Sequence, residues 1–144
     1  IYENFDEDVD VLIIAEGDSY TDLSPDEFYN KIVKSQSLCK KINGKIVSFA
    51  GPCYMTGGEW WNMTKDHGDW LEVPHFLMGT TYLVMKSERE SILNKIKTTG
   101  WHSPDFWLAW NYHLKSKLLV SKEPLCFQKE GYSALDYLEK DTWF

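Results

Sequence analysis

The sequence predicts an α/β domain built on a mixed sheet flanked by helices. Apolar runs with the length and β-branched content of buried strands occur at 11–15, 45–50, 76–85 and 117–121. Helical patterns that begin with capping residues follow the first and the third of these runs. Strands and helices that alternate along one chain are typical of α/β folds. At 144 residues the chain is long enough for one core, so we expect residues 1–144 to form a single domain.

The first predicted strand ends in two carboxylates, Glu16 and Asp18, which are separated by Gly17. Side chains at i and i+2 of a strand share one face, and a glycine between them permits the backbone to turn. Ligands of open α/β sheets bind just beyond the carboxyl ends of strands. Glu16 and Asp18 are therefore candidate ligands of a divalent cation.

The clearest helix signal follows this acidic pair. Ser24 is placed as the N-cap, Pro25 as the first helical residue, and Glu27 as the second member of a capping box. Asn43 and Gly44 mark the end. We expect one long helix between these signals.

The segment 51–74 predicts a long loop, because glycines and prolines interrupt any periodicity. It carries Trp60, Trp61 and Trp70. Long loops inside compact domains are often functional. A flap that faces the substrate and a loop folded onto the core are both consistent with this pattern.

Further elements follow in the second half of the chain. Gly79 indicates a bulge or a close backbone approach within the strand at 76–85. Ser87 and Glu90 predict the start of a helix that Gly100 closes. The later predictions are a helix opening at 101–105, an extended segment at 124–127, and a helical stretch after the turn at 131–133.

Composition and charge narrow the classes of function. The net charge of −7 argues against a nucleic-acid-binding protein, which normally has a basic surface. No apolar run approaches the roughly 18 residues of a membrane-spanning helix. The three cysteines are far apart, so we expect neither a disulfide framework nor a zinc site, and a reducing, cytoplasmic location. Aromatic residues make up 15% of the chain, which is typical of sugar-binding surfaces or of a Trp-rich core.

The segment Gly17-Asp18-Ser19 also matches the start of the signature of GDSL (SGNH) lipase-like hydrolases, in which the serine is the nucleophile. Such a serine needs a histidine base that a carboxylate orients. That class carries both in an Asp-x-x-His segment near the C-terminus. Here Cys126 stands in the corresponding region, and His113 is the last histidine. An esterase that uses Ser19 is the alternative to the metal site.

A metal site would suit glycosyl transfer from a nucleotide-sugar, because a divalent cation neutralises the diphosphate leaving group. An inverting transferase also needs a carboxylate base for the acceptor hydroxyl. Asp105 is the candidate, although an Asp in the first turn of a helix is also explained by the helix dipole.

Four motifs in consistent order carry a family resemblance: LIIAEGD at 12–18, GTTY at 79–82, SPDFWL at 103–108 and PLCFQKEGYSALD at 124–136. In this order they resemble GT-A glycosyltransferases, and in particular the lipopolysaccharide-type enzymes of family 25 with their viral and phage relatives. The likeness spans residues 10–138. It departs from the family at the N-terminus, where only some ten residues precede the acidic motif.

The resemblance implies a GT-A-like fold and a metal-dependent transferase. The enzyme would move a sugar from a nucleotide-sugar donor to a carbohydrate or other hydroxyl acceptor. Asp18, with Glu16 assisting, would hold Mn²⁺ or Mg²⁺, and Asp105 would serve the acceptor as the catalytic residue. The candidate substrate-binding residues are Gly79, Thr80, Trp101, Gln128 and Ser133. Core packing is the alternative for Trp101, and loop packing is the alternative for Gln128 and Ser133.

Because few residues precede the acidic motif, we add two further expectations. The nucleotide-binding part that normally precedes this motif would be short or missing, as in the later part of a longer enzyme. The other alternative is a non-catalytic, carbohydrate-binding remnant of a transferase.

Overall fold

The computed structural model of the protein describes residues 9–51, 63–74, 80–99, 112 and 117–129. These residues form a mixed α/β structure with a six-stranded sheet, a two-stranded sheet and two helices. The elements in chain order are β1 (Val11–Ala15), β2 (Ser19–Tyr20), α1 (Pro25–Ile42), β3 (Ile46–Ser48), β4 (Lys65–Asp66), β5 (Trp70–Val73), β6 (Thr81–Met85), α2 (Arg89–Thr99), β7 (Leu118–Ser121) and β8 (Phe127–Gln128).

The large sheet has the strand order β1-β6-β3-β7-β5-β4. Strands β3 and β7 are parallel, and all other neighbours in this sheet are antiparallel. Strands β3, β5, β6 and β7 are buried along their whole length, as expected for central strands covered on both faces. The predicted mixed sheet is confirmed, and so are the strands expected at 11–15, 45–50 and 117–121.

Successive residues of one strand enter two different core clusters, one on each face of the sheet. Ile46 and Val84 belong to the cluster that contains Ile92 of α2, and Val47 to the cluster packed against α1. The alternation follows from the two-residue period of a strand. Each fully buried aliphatic side chain of this kind contributes about 1.5–3 kcal/mol. The sheet is therefore held between α1 and α2.

Helix α1 begins and ends where its local signals predict. The backbone N–H of Ser24 donates to Glu27 Oε2 at 3.0 Å, and the N–H of Glu27 donates to Ser24 Oγ at 3.4 Å. At the other end Asn43 adopts the left-handed conformation, with φ of 56°. Gly44 is constrained by packing, because an added Cβ would lie 2.8 Å from Cys39 Sγ.

The prediction of a loop over the whole of 51–74 is wrong. Residues 65–73 form the antiparallel β4–β5 hairpin, and Trp70 is 3% exposed within the core. Gly68 turns the chain between the strands with φ of 83°. The four-residue strand is too short to show a period beside that glycine. Trp60 and Trp61 lie outside the described residues.

The capping residues predicted for the second helix are also not those observed. A 3₁₀ turn, Lys86–Glu88, precedes α2, and Met85 stands at its start without a side-chain cap. Glu88 is buried, with Oε1 2.6 Å from Lys45 Nζ. Ser87 therefore lies in the middle of the 3₁₀ turn and not at the N-cap position directly before α2.

Gly79 and Gly100 lie outside the described residues, as do the helix predicted at 101–105 and the C-terminal helical stretch. Neither described helix has the length and apolar character that crossing a bilayer requires.

Candidate functional site

The acidic pair lies in a tight turn that follows β1 at one edge of the large sheet. The N–H of Ser19 donates to the Glu16 carbonyl at 3.0 Å and closes the turn, and Ser19 Oγ donates to the same oxygen at 2.7 Å. The N–H of Glu16 donates to the carbonyl of Thr80 at 2.9 Å, just before β6. These bonds attach the turn to the end of the sheet.

Gly17 does not need the conformational freedom of a glycine. Positive φ values among the described residues occur at Asn43, Gly51 and Gly68, so the backbone at Gly17 is one that other residues also adopt. A Cβ added at Gly17 would meet nothing within 4 Å. The turn is therefore held by its hydrogen bonds and not by the glycine.

A two-stranded ribbon joins this turn to the segment 127–129. Ser19 pairs with Gln128 and Tyr20 with Phe127 in antiparallel register. The N–H of Lys129 donates to the Asp18 carbonyl at 3.0 Å and extends the pairing by one bond. The ribbon brings the acidic motif near the N-terminus against a segment more than a hundred residues later.

Within this ribbon the side chain of Gln128 reaches Glu16. Its Nε2 donates to Glu16 Oε2 at 2.6 Å. A hydrogen bond to a carboxylate is stronger than one between neutral groups. Gln128 therefore fixes the Glu16 side chain beside the turn.

Close packing between Gly51 and Pro124 positions the chain that enters the ribbon. Gly51 has φ of 82°, and a Cβ there would lie 3.0 Å from Pro124 Cγ. The N–H groups of Leu125 and Cys126 both donate to the Phe49 carbonyl, at 2.8 and 3.1 Å. The end of β3 thus sets the path of the chain immediately before β8.

A cleft of about 860 Å³ opens between these segments. Among the described residues Asp18 lines this cleft, whereas Glu16 does not. The two predicted ligands therefore have different environments: Asp18 borders the open space, and Glu16 bonds to Gln128. The residues that line the cleft are Gly17, Asp18, Ser19, Tyr20, Ala50, Pro124, Cys126, Phe127, Gln128 and Lys129.

Among the residues that the structure describes, the charged groups of the cleft wall are the carboxylate of Asp18 and the ammonium of Lys129. Cys126 also lines it but is 5% exposed, and burial raises the pKa of its thiol above the usual value, so the thiol stays protonated. A protonated, buried thiol is a poor nucleophile. The chemistry available to the described wall rests on Asp18, Lys129 and polar hydrogen-bonding groups.

The number of acidic groups bears on the divalent cation that the sequence predicts. No cluster of three or more His, Cys, Asp or Glu side chains placed to bind a metal occurs among the residues that the structure describes. Mg²⁺ typically uses one or two carboxylates together with substrate phosphates and water. Asp18 supplies one such carboxylate to the cleft, whereas Glu16, two residues earlier in the turn, does not line it.

The other predicted site residues divide into two groups. Thr80 is 2% exposed and supports Glu16 through its carbonyl oxygen. Gln128 lines the cleft and bonds to Glu16. The remaining four lie outside the described residues, namely Gly79, Trp101, Asp105 and Ser133.

Among the wall residues that sequence reasoning did not identify are Tyr20, Phe127 and Lys129. Tyr20 follows Asp18 by two residues, and Phe127 and Lys129 flank Gln128. No local pattern marked these residues, because their places on the wall follow from the register of the ribbon.

Ser19 lacks the surroundings of a hydrolase nucleophile in the described residues. Its Oγ donates to the backbone carbonyl of Glu16. His67, the one histidine of four within the described ranges, lies on the hairpin at the opposite edge of the sheet. Its Nε2 is 3.1 Å from Glu72 Oε2.

Comparison of the whole chain with known proteins found neither a matching protein-family model nor a matching curated protein.

Proposed function

We propose that this chain is a GT-A-like glycosyltransferase domain that moves a sugar from a nucleotide-sugar donor to a carbohydrate or other hydroxyl acceptor. The observation that carries the proposal is the position of Asp18, which lines a cleft just beyond the carboxyl end of β1. This is where ligands of open α/β sheets bind.

The arrangement of the motifs supports the same proposal. The acidic motif and the segment 124–136 are two of the four motifs behind the family resemblance. Their residues Glu16 and Gln128 share a hydrogen bond of 2.6 Å although 112 positions separate them. Motifs that serve one site are expected to meet in this way.

Asp18 would hold Mn²⁺ or Mg²⁺ together with the diphosphate oxygens of the donor, and Glu16 would assist from the same turn. When bound, the cation would neutralise the negative charge that develops on the leaving diphosphate. Lys129 lines the same cleft, and its ammonium group would attract the anionic donor.

The transfer itself needs a proton acceptor for the incoming hydroxyl. The acceptor oxygen forms a bond to the anomeric carbon of the donor sugar. The bond from that carbon to the diphosphate oxygen breaks, and its electron pair leaves with the diphosphate. The hydroxyl proton passes to a carboxylate, and Asp105 is our candidate for this base or for an acceptor-positioning residue.

The test is a calorimetric titration of the full chain with Mn²⁺ in the presence of UDP or GDP. We expect saturable binding that weakens by about tenfold or more in Asp18→Asn, since a direct carboxylate ligand is lost. Asp22→Asn is the matched control, because Asp22 is exposed four residues later and does not line the cleft. Nucleotide binding that needs no metal, or that both variants retain equally, would contradict the proposal.

A further inference from the structure

The β2–β8 ribbon has two faces of different chemistry. Side chains of a cross-strand pair lie on the same face, and successive pairs lie on opposite faces. The Ser19–Gln128 pair bonds to Glu16 through both of its side chains. The Tyr20–Phe127 pair therefore occupies the opposite face, and its ring centroids are 5.6 Å apart with planes tilted by 33°.

This aromatic pair differs from the other two aromatic pairs in the described residues. Phe28–Phe49 and Phe49–Trp70 belong to the core packing beneath α1. Tyr20 and Phe127 instead line the cleft, and Tyr20 is 48% exposed. Large aromatic rings that stay exposed in a concave wall beside polar groups are typical of ligand sites.

The position of the pair relative to Asp18 limits what it would contact. Tyr20 is two residues beyond Asp18, which corresponds to roughly 7 Å along an extended chain. That distance is about the width of one sugar ring. A ring bound on the aromatic pair would place its edge beside the carboxylate.

We propose that Tyr20 and Phe127 form the stacking surface for the pyranose ring of a neutral acceptor sugar. The inference rests on the proposed function in taking this cleft as the transfer site. The C–H groups on one face of a pyranose pack against aromatic rings while its hydroxyls remain available for hydrogen bonds at the ring edge. A neutral sugar tolerates the neighbouring Asp18 carboxylate without a counter-charge.

The experiment measures binding of neutral sugars to the full chain without metal or nucleotide. The probes are methyl β-glucoside, methyl β-galactoside and maltose. Their binding is measured by saturation-transfer NMR and by calorimetry. Tyr20→Ala removes the ring, Tyr20→Phe keeps the ring without its hydroxyl, and Tyr29→Ala is the control. Tyr29 is 65% exposed on α1 and does not line the cleft.

We expect at least one probe to bind the wild-type chain, with affinity reduced on the order of tenfold in Tyr20→Ala and nearly retained in Tyr20→Phe. Tyr29→Ala should bind as the wild type does. The absence of binding by any probe up to its solubility limit would overturn the inference. So would equal losses in the Tyr20 and Tyr29 alanine variants.

Cytidine and uridine serve as further probes, because aromatic rings also stack on nucleobases. Nucleoside binding that depends on Tyr20, without sugar binding, would overturn the assignment to an acceptor sugar. Sugar binding that depends on Tyr20 would uphold the stacking surface, but not the role of its sugar as an acceptor, if Asp18→Asn leaves metal–nucleotide binding unchanged. In that case the transferase proposal fails, and the chain is a carbohydrate-binding module.

Discussion

The side-chain amide of Gln128 donates to the carboxylate of Glu16 at 2.6 Å and links the acidic turn after β1 to the ribbon strand β8. The same two segments share the Lys129 to Asp18 backbone bond and the Ser19–Gln128 pairing. The position of Asp18 in the cleft thus depends on β8 as well as on β1.

We expect Gln128→Ala to lower the free energy of unfolding by about 1 kcal/mol, since the lost bond is exposed and joins an amide to a carboxylate. The measurement is urea denaturation. Gln36→Ala is the control, because Gln36 Nε2 approaches Asp10 Oδ2 at only 3.5 Å on an exposed surface. An equal loss of unfolding free energy in both variants would show that the hydrogen bond to Glu16 contributes no more to stability than an exposed surface contact.

Gly17 and Gly51 should respond in opposite ways to substitution by alanine. Gly17→Ala should leave stability unchanged or raise it by about 0.4–1 kcal/mol, because the alanine restricts the unfolded chain and meets no atom in the folded one. Gly51→Ala should cost more than about 1 kcal/mol, because φ is 82° and Pro124 lies at 3.0 Å. Urea denaturation of the two variants side by side checks the prediction. A destabilised Gly17→Ala would mean that the turn needs its glycine after all.

Acid should weaken the β4–β5 hairpin through Glu72. Burial alone would raise the pKa of this carboxyl, but hydrogen bonds from His67 and Lys65 outweigh burial and hold the pKa below its ordinary value of 4.5. A group with a lowered folded pKa contributes stability above its unfolded pKa and loses it as the pH falls through the folded pKa. The contribution of Glu72 is therefore present at neutral pH and lost below about pH 4.5.

The measurement is unfolding free energy between pH 7 and pH 3 for the wild type and for Glu72→Gln. The difference between the two should be largest at neutral pH and shrink in acid. A constant difference over the whole range would show that the Glu72 charge contributes nothing to folding.

Ser19→Ala tests the alternative chemistry of the same turn. The hydroxyl donates to the Glu16 carbonyl, so the expected effect is a loss of about 0.5–1.5 kcal/mol of stability with sugar transfer nearly intact. Hydrolysis of p-nitrophenyl acetate by the wild type and the variant provides the direct comparison. Esterase activity that disappears with this single change would favour the hydrolase and count against the transferase.

Local signals explain which parts of the fold were predictable. Helix α1 followed from Ser24, Glu27 and Asn43, because a cap is formed by residues a few positions apart. The cap expected at Ser87 failed for the opposite reason. Glu88 in that turn pairs with Lys45, more than forty residues earlier, and local sequence does not reveal such a contact. The core position of Trp70 could not be predicted from the sequence pattern, because its strand has only four residues and begins shortly after Gly68.

The candidate site was predictable only in part. Glu16, Asp18 and Gln128 were identified from motifs, and the structure brings all three to one ribbon. The aromatic pair could not be found, because two-residue strands leave no period to detect and their register depends on a distant partner. The role of Asp105 stays a prediction, since this residue lies outside the described ranges.

The strand order β1-β6-β3-β7-β5-β4 has a consequence for how the protein is made. Within the described part of the sheet, β4 and β5 form the one neighbouring pair that is also consecutive in the chain, whereas Leu12 pairs with Val84 and Ile46 with Leu118. Folds dominated by such distant pairings fold slowly, on the order of milliseconds to seconds. A nascent chain that ended before residue 117 would already contain Glu16 and Asp18. It would lack β8, the strand that pairs with the segment directly after them. The cleft can therefore form only after synthesis has passed residue 129.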